Sequence, residues 1–207
     1  FGQVGKRVQL TAPTGQAAKR LTQAAGIEAR TIHRLLETRY MGEEEEDRLA
    51  GPRFRRNAEN PLDADVLVVD EVSMADVLLL DSLLAAMRPG ARIVLVGDAD
   101  QLPPVGPGNA LRDILASNCV PAVRLTRIYR QSEAGRIVEN AHRINRGEYP
   151  VFQQSDDSDF MYVPRKTPED MAAAAVRLCA EVLPGRYGYD PFQDIQVIAP
   201  SRKGPAG

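Results

Sequence analysis

An α/β fold built on a parallel sheet is the class that this sequence predicts, and three observations predict it. A short β-branched and leucine-rich run followed by a polar tip and a helical period occurs three times. Strands that alternate with helices in this way imply parallel pairing with right-handed crossovers. The chain is 207 residues long and 43% hydrophobic, ample for a buried core.

In order along the chain, the first unit is a strand over residues 7–11, a tip Ala12-Pro13-Thr14-Gly15, and a helix over 16–25 that Gly26 stops. The second is the strand Val66-Leu67-Val68-Val69, the tip Asp70-Glu71-Val72-Ser73, and a helix over 76–87. Its apolar positions Val77, Leu80, Leu83, Leu84 and Met87 have helical spacing. The third is a strand over 92–96, the tip Gly97-Asp98-Ala99-Asp100-Gln101, the pair Pro103-Pro104 and a short helix from about Asn109. In a parallel sheet all three tips emerge at the carboxyl edge, where open α/β sheets bind ligands. Residues 39–61 break the pattern and are expected to form a small hairpin, with the acid run Glu43 to Asp47 followed by Arg53, Phe54, Arg55 and Arg56. A strand-like stretch at 123–125 and a helix over 134–146 come next. Beyond a polar linker at 153–159 the sequence predicts a strand at 160–163, a helix capped by Thr167 with Pro168 at its first position and running to about 183, and a strand at 194–199. A domain boundary is expected near residue 150.

Composition excludes several classes. With 26 Lys+Arg against 28 Asp+Glu the net charge is −2, so any nucleic-acid contact must be local. No apolar run approaches the ~20 residues that cross a bilayer, and the opening FGQVGKRVQL lacks a signal peptide's apolar middle. Membrane partners are therefore not expected. Cys119 and Cys179 form no CxxC and have no neighbouring His cluster, which argues against zinc or disulfides and makes a reducing cytoplasm the expected compartment. A chain that opens on Phe1 and ends in PSRKGPAG reads as a piece of a longer one.

The chemistry is concentrated in two tips. An apolar strand ending in Asp70-Glu71 suits nucleotide hydrolysis, because one carboxylate can hold Mg²⁺ while its neighbour orients and deprotonates water. Two solvated acids at a strand exit are the plainer alternative. Gln101, at the tip of a neighbouring strand ahead of a stiff Pro-Pro turn, can donate to a γ-phosphate or position water. Two such tips on one edge favour a phosphate site.

The ordered set TAPTGQAAKRL, TIHRLL, VLVVDEVSMAD, IVLVGDADQLPPV, LTRIYRQ and VIAPSRKGPAG resembles the RecD-type helicases of superfamily 1, including the RecD/TraA group. The match runs across nearly the whole chain. It implies a RecA-like, parallel-sheet P-loop NTPase domain, present in part over residues 1–150, and the beginning of a second RecA-like domain over 151–207, with ATP bound between them. By this resemblance Asp70 holds Mg²⁺, Glu71 is the catalytic base, Gln101 senses the γ-phosphate and Asp98 supports it. Tyr129 is similar to the aromatic that stacks on adenine, with a core aromatic as its alternative. Arg130 is similar to the arginine that reaches the γ-phosphate, with a surface ion pair as its alternative. Pro13, Thr14 and Gly15 resemble a motif that contacts single-stranded DNA, and Thr31 with His33 a second. A histidine near a helix start is also a common packing residue. The insertion with Phe54 and Arg55 occupies the place of a strand-separating pin, although its acid run would repel phosphates and fits a solvated flank better.

The resemblance has gaps. GxxxxGKS/T, whose amides, Lys and hydroxyl hold the phosphates and Mg²⁺, is absent, and Gly2-Gln3-Val4-Gly5-Lys6-Arg7 has neither its spacing nor its hydroxyl. The expectation is an internal fragment of an ATP-dependent helicase, inactive when isolated. Its parent would move 5′ to 3′ on single-stranded DNA and act at junctions with duplex, in repair, recombination or conjugation. Whether it works alone, as a subunit of a recombination nuclease complex, or fused to a relaxase or nuclease stays open. The rival is a non-catalytic DNA-binding or scaffold fragment whose ATPase motifs are vestigial.

Overall fold

The computed structural model describes residues 5–38, 54–125, 135–152, 158–199 and 203–204. Contacts divide the chain into two compact units, residues 1–126 and 127–207. The boundary expected near residue 150 falls inside the second unit.

The first unit holds the parallel sheet that the sequence predicts, with four strands in place of three. They are β1 (Val8–Ala12), β2 (Ala29–Thr31), β3 (Val66–Val69) and β4 (Arg92–Leu95), ordered β2-β1-β3-β4 and all parallel. β2 is the added strand. Only three residues long, with Arg30 and Thr31 among them, it has no apolar run to announce it and exists through its ladder to Leu10, Thr11 and Ala12. Thr11 is fully buried and ties the two strands further, its hydroxyl donating to the Arg30 carbonyl at 2.8 Å.

Helices follow each strand. α1 (Gly15–Ala25) is capped by Thr14 and closed by Gly26 at φ 67°, the left-handed stop that glycine takes without a Cβ penalty. α2 (Ile32–Leu35) is capped by Thr31, α3 (Val77–Ala85) by Asp76 and α4 (Ala110–Ser117) by Asn109. One face of the sheet, through Leu67, Val69, Ile93 and Leu95, packs with Ile32 and Leu36, with Leu79, Leu80 and Leu83 of α3, and with Leu111 of α4. The stripe expected on α3 is partly corrected. Leu80 and Leu83 are buried, whereas Val77 and Leu84 are exposed, and Leu79 takes a core position.

In the second unit, α5 (Arg136–Asn145) carries the fully buried Asn140, whose amide pairs with both the N–H and the carbonyl of Val151. Phe152 stacks on Phe160 and Tyr162. α6 (Pro168–Arg177) starts where the sequence places it, on the Thr167 cap. A π-helical turn, Leu178–Val182, then widens the helix ahead of α7 (Leu183–Tyr187). Pro184 has no N–H to donate and its ring crowds the carbonyl four residues earlier, which favours a wider turn at this point. The segments at 160–163, 194–199 and 123–125 are not strands. A β-branched run forms a strand only with a partner ladder, and these find none among the described residues. Of the expected hairpin, residues 39–53 lie outside the described residues, but its base is antiparallel. Thr38 bridges Phe54, the Arg55 N–H donates to the Glu37 carbonyl, and the Arg56 guanidinium pairs with Glu37 at 2.7 Å. No described helix is long and apolar enough to cross a membrane.

Candidate nucleotide and nucleic-acid site

Parallel pairing puts the ends of all four strands on one edge, so the tips that bear Pro13, Thr14, Gly15, Thr31, Asp70, Glu71, Asp98 and Gln101 gather there by topology. β3 delivers Asp70 and Glu71. The Asp70 N–H donates to the Thr11 carbonyl of β1 at 2.9 Å, and Asp70 Oδ1 accepts the Glu71 N–H at 3.0 Å. Glu71 sits at φ 52°, in the left-handed region that non-glycine residues seldom take. Such a backbone costs about 1–3 kcal/mol and persists where the surroundings over-determine it. Here the next residues over-determine it, because Val72 and Ser73 turn inward and are buried.

β4 delivers the second tip. The Val96 N–H donates to the Val69 carbonyl at 2.8 Å and the Val72 N–H to the Val96 carbonyl at 3.0 Å, so the two tips are laced together beyond the ends of their strands. Gly97 allows the close approach, since a Cβ there would lie 3.0 Å from Val72 Cγ1 and Leu111 Cδ2 and 3.1 Å from the Ser73 nitrogen. Asp98 then shapes the turn, accepting the Asp100 N–H on Oδ1 at 2.9 Å and the Gln101 N–H on its carbonyl at 3.2 Å. Gln101 is exposed on that turn.

None of Asp70, Glu71 and Asp98 has an ion pair among the described residues, whereas Asp100 meets Arg124 at 3.6 Å. Three or more His, Cys, Asp or Glu that could hold a metal do not cluster among the described residues. Ser73 Oγ is buried with no hydrogen-bond partner there, a feature that the sequence gave no sign of.

The β1 and β2 tips lie side by side, since Ala12 pairs with Thr31. Thr14 Oγ1 accepts the Ala17 N–H at 3.2 Å and Thr31 Oγ1 the Arg34 N–H at 3.2 Å, so both threonines are helix caps. Pro13 is half-buried and Gly15 is exposed at the start of α1, with open space where a Cβ would stand. His33 is exposed, and its ring meets Phe54 edge-on with centroids 5.9 Å apart, which brings the second expected contact patch against the base of the insertion. Arg55 is exposed beside it. Tyr129 and Arg130 lie outside the described residues.

A family model described as AAA domain matches residues 1–163. The ATP-dependent RecD2 DNA helicase of Deinococcus radiodurans is 39% identical over 204 residues, which is 99% of this chain and 25% of that protein. The RecBCD enzyme subunit RecD of Mycobacterium tuberculosis is 39% identical over 130 residues, covering 55% of this chain and 21% of its own length. The chain thus spans about a quarter of the length of these curated relatives. A crystal structure of Bacteroides Pif1 bound to single-stranded DNA is 22% identical with a TM-score of 0.43, covering 87% of this chain and 48% of that one. A likeness of that size adds nothing to the assignment.

Proposed function

The chain belongs to the AAA domain family, and from its likeness to the RecD relatives we propose that it is part of an ATP-dependent DNA helicase and carries the acidic and γ-phosphate-sensing side of the ATP site. Its parallel α/β sheet is that of a RecA-like P-loop NTPase domain, and the relatives bear out the RecD-type resemblance of its motifs. The chain would then hold part of a first RecA-like domain and the start of a second.

The carrying observation is the lacing of two acid-bearing tips at one sheet edge. The bonds Val96 N–H to Val69 and Val72 N–H to Val96, with Gly97 pressed against Ser73, hold Asp70-Glu71 and the Asp98–Gln101 turn in one frame. Glu71 acts as general base on the attacking water, Gln101 meets the γ-phosphate, and Asp98 shapes the turn that presents it. Arg130 stabilises charge on the transferred phosphoryl group and Tyr129 stacks on adenine. Mg²⁺ is usually held by one or two carboxylates together with phosphates and water. Asp70 fits that habit, because it is half-buried with Oδ1 committed to the Glu71 N–H and its other oxygen free of hydrogen bonds among the described residues. Bound there, the ion would neutralise phosphate charge.

Single-stranded DNA would lie across the neighbouring β1 and β2 tips. The N-terminal amides of α1, with Pro13, Thr14 and Gly15, suit phosphate oxygens. Thr31, His33, Phe54 and Arg55 continue that surface toward the insertion, which would act at the junction with duplex. Movement 5′ to 3′ and a role in recombination, repair or conjugation complete the proposal on the strength of the resemblance, and a cytoplasmic location completes it on the cysteine usage.

In the intact helicase, Glu71→Gln is expected to preserve ATP binding and lower DNA-stimulated hydrolysis by about 10² to 10⁴, since Gln keeps the shape of Glu but cannot take a proton. Near-normal turnover would remove Glu71 from the chemistry.

A further inference from the structure

The loop that carries Gln101 is held at two places. One is Gly97, against the β3 tip. The other is the run Gly106-Pro107-Gly108, seated on the first residues of α3. The Val77 N–H donates to the Pro107 carbonyl at 3.1 Å. A Cβ on Gly106 would lie 1.9 Å from Asp76 Oδ2 and 2.7 Å from Asp76 Cβ. The Asp76 side chain cannot simply swing clear, because its Oδ1 is committed to capping α3 through the Leu79 N–H at 2.8 Å. Gly108 stands at φ 80°, and a Cβ there would lie 2.3 Å from Val77 Cγ2. Between the two anchors the loop's own ties among the described residues are the Asp98 turn and the Asp100–Arg124 ion pair, and past Gln101 the side chains of Leu102 and Val105 are almost wholly in solvent. Asp76 follows Glu71 through a single turn whose Val72, Ser73 and Ala75 are buried. The glycine seat therefore joins the glutamine loop to the same rigid segment that carries the acids.

We propose that Gly106 and Gly108, clasped to Asp76 and Val77, are positioning residues that set Gln101 relative to Asp70 and Glu71. The proposal rests on the reading of Gln101 as the residue that meets the γ-phosphate. Its physical content is steric. A side chain at either glycine lifts the loop off α3 and moves Gln101, while the fold of the sheet, whose core lies on other residues, stays as it is.

The test uses the intact helicase, with kcat and KM for ATP measured under saturating single-stranded DNA and the melting temperature measured alongside. Gly108→Ala is expected to lower kcat about tenfold or more, since a misplacement of ~1 Å can cost up to 10² in rate. KM for ATP should stay within about twofold, as expected when a transition-state interaction is lost. Adding Val77→Ala removes the methyl that the new side chain would strike, and is expected to restore part of the loss. In a Gln101→Ala background, Gly108→Ala should have no further effect, because the residue through which it acts is gone. Val77→Phe crowds the seat from the helix side and serves in its place should Gly108→Ala not fold. Gln101→Ala with an unchanged kcat would overturn the reading beneath the proposal. A large loss on Gln101→Ala, with Gly108→Ala and Val77→Phe at wild-type kcat, would overturn the clasp alone. Additive losses in the double variant, or a fall in melting temperature with no fall in kcat, would overturn it too and leave the glycines as packing residues.

Discussion

The two ends of the one sheet treat charge in opposite ways. At the amino edge, Arg7 lies between Asp63 and Asp65, and Arg88 also meets Asp63. At the carboxyl edge Asp100 meets Arg124, but among the described residues Asp70, Glu71 and Asp98 have no ion pair and Ser73 Oγ is buried without a partner, and Glu71 holds a left-handed backbone. Acids that find cations locally are finished as structure. Asp70, Glu71 and Asp98, which meet no cation among the described residues, are held in place by backbone geometry instead. Locally unfavourable choices of this kind concentrate where a protein does its work.

The largest effect should come from a cation outside the described residues. On the proposed reading this is Arg130, which stabilises charge spread over the γ-phosphoryl oxygens. Removing such an arginine costs about 10³ to 10⁵ in rate, or roughly 4 to 7 kcal/mol. An exposed ion pair is worth about 0 to 1 kcal/mol and touches stability in place of rate. Arg130→Ala in the intact helicase is expected to lower DNA-stimulated kcat at least ~10²-fold with the melting temperature almost unchanged, and Arg130→Lys to recover little without the planar fork. A kcat within about threefold of wild type would leave Gln101 as the γ-phosphate contact in this chain and remove Arg130 from the site.

What the sequence revealed follows from what is local. β1, β3 and β4 were legible because each is an apolar run bounded by a polar tip, and the gathering of their tips followed from parallel pairing alone. Thr167 was readable as a cap because it stands three residues from the amide that it serves, whereas the capping by Thr14, Asp76 and Asn109 came from the structure. β2 was not readable, because three residues around Arg30 become a strand only through Leu10, Thr11 and Ala12, nearly twenty positions away. The reverse holds at 160–163 and 194–199, where apolar runs look like strands and lack partners among the described residues. At the site, Asp70, Glu71 and Gln101 were named from motif chemistry. The seat of Gly106 and Gly108 on Asp76 and Val77 was not, since glycine marks a close approach without saying to what.

A middle-sized effect separates two duties of Thr14. Its hydroxyl caps α1, and loss of such a cap costs ~1 kcal/mol, so Thr14→Ala confuses helix stability with DNA contact. Asp caps at least as well as Thr but places a negative charge where a phosphate oxygen is proposed to sit. Thr14→Asp is therefore expected to keep the melting temperature and to weaken single-stranded DNA binding more than Thr14→Ala does. The loss should be about equal for homopolymers of different base, since a backbone contact carries no sequence information. Full affinity in Thr14→Asp would confine the residue to capping.

The smallest effect belongs to the amino edge, where Asp65 tests whether paired charge there is structure alone. Its carboxyl accepts the Arg7 backbone N–H at 2.9 Å and then the Arg7 guanidinium, and these hold it below the ordinary carboxylate range. A carboxylate depressed in the folded state stabilises the fold above its unfolded value of ~3.9. That contribution is lost as pH falls through the lower folded value. Asp65→Asn keeps an oxygen for the Arg7 N–H and removes the charge, so its melting temperature should lie slightly below wild type at neutral pH. The two curves should close on one another below about pH 4, and kcat should not move at any pH where both proteins are folded. A gap in melting temperature that persists unchanged into strong acid would mean that the carboxylate's charge is not what stabilises this edge. A fall in kcat at neutral pH would break the comparison itself, because it would join the amino edge to the chemistry at the other end of the sheet.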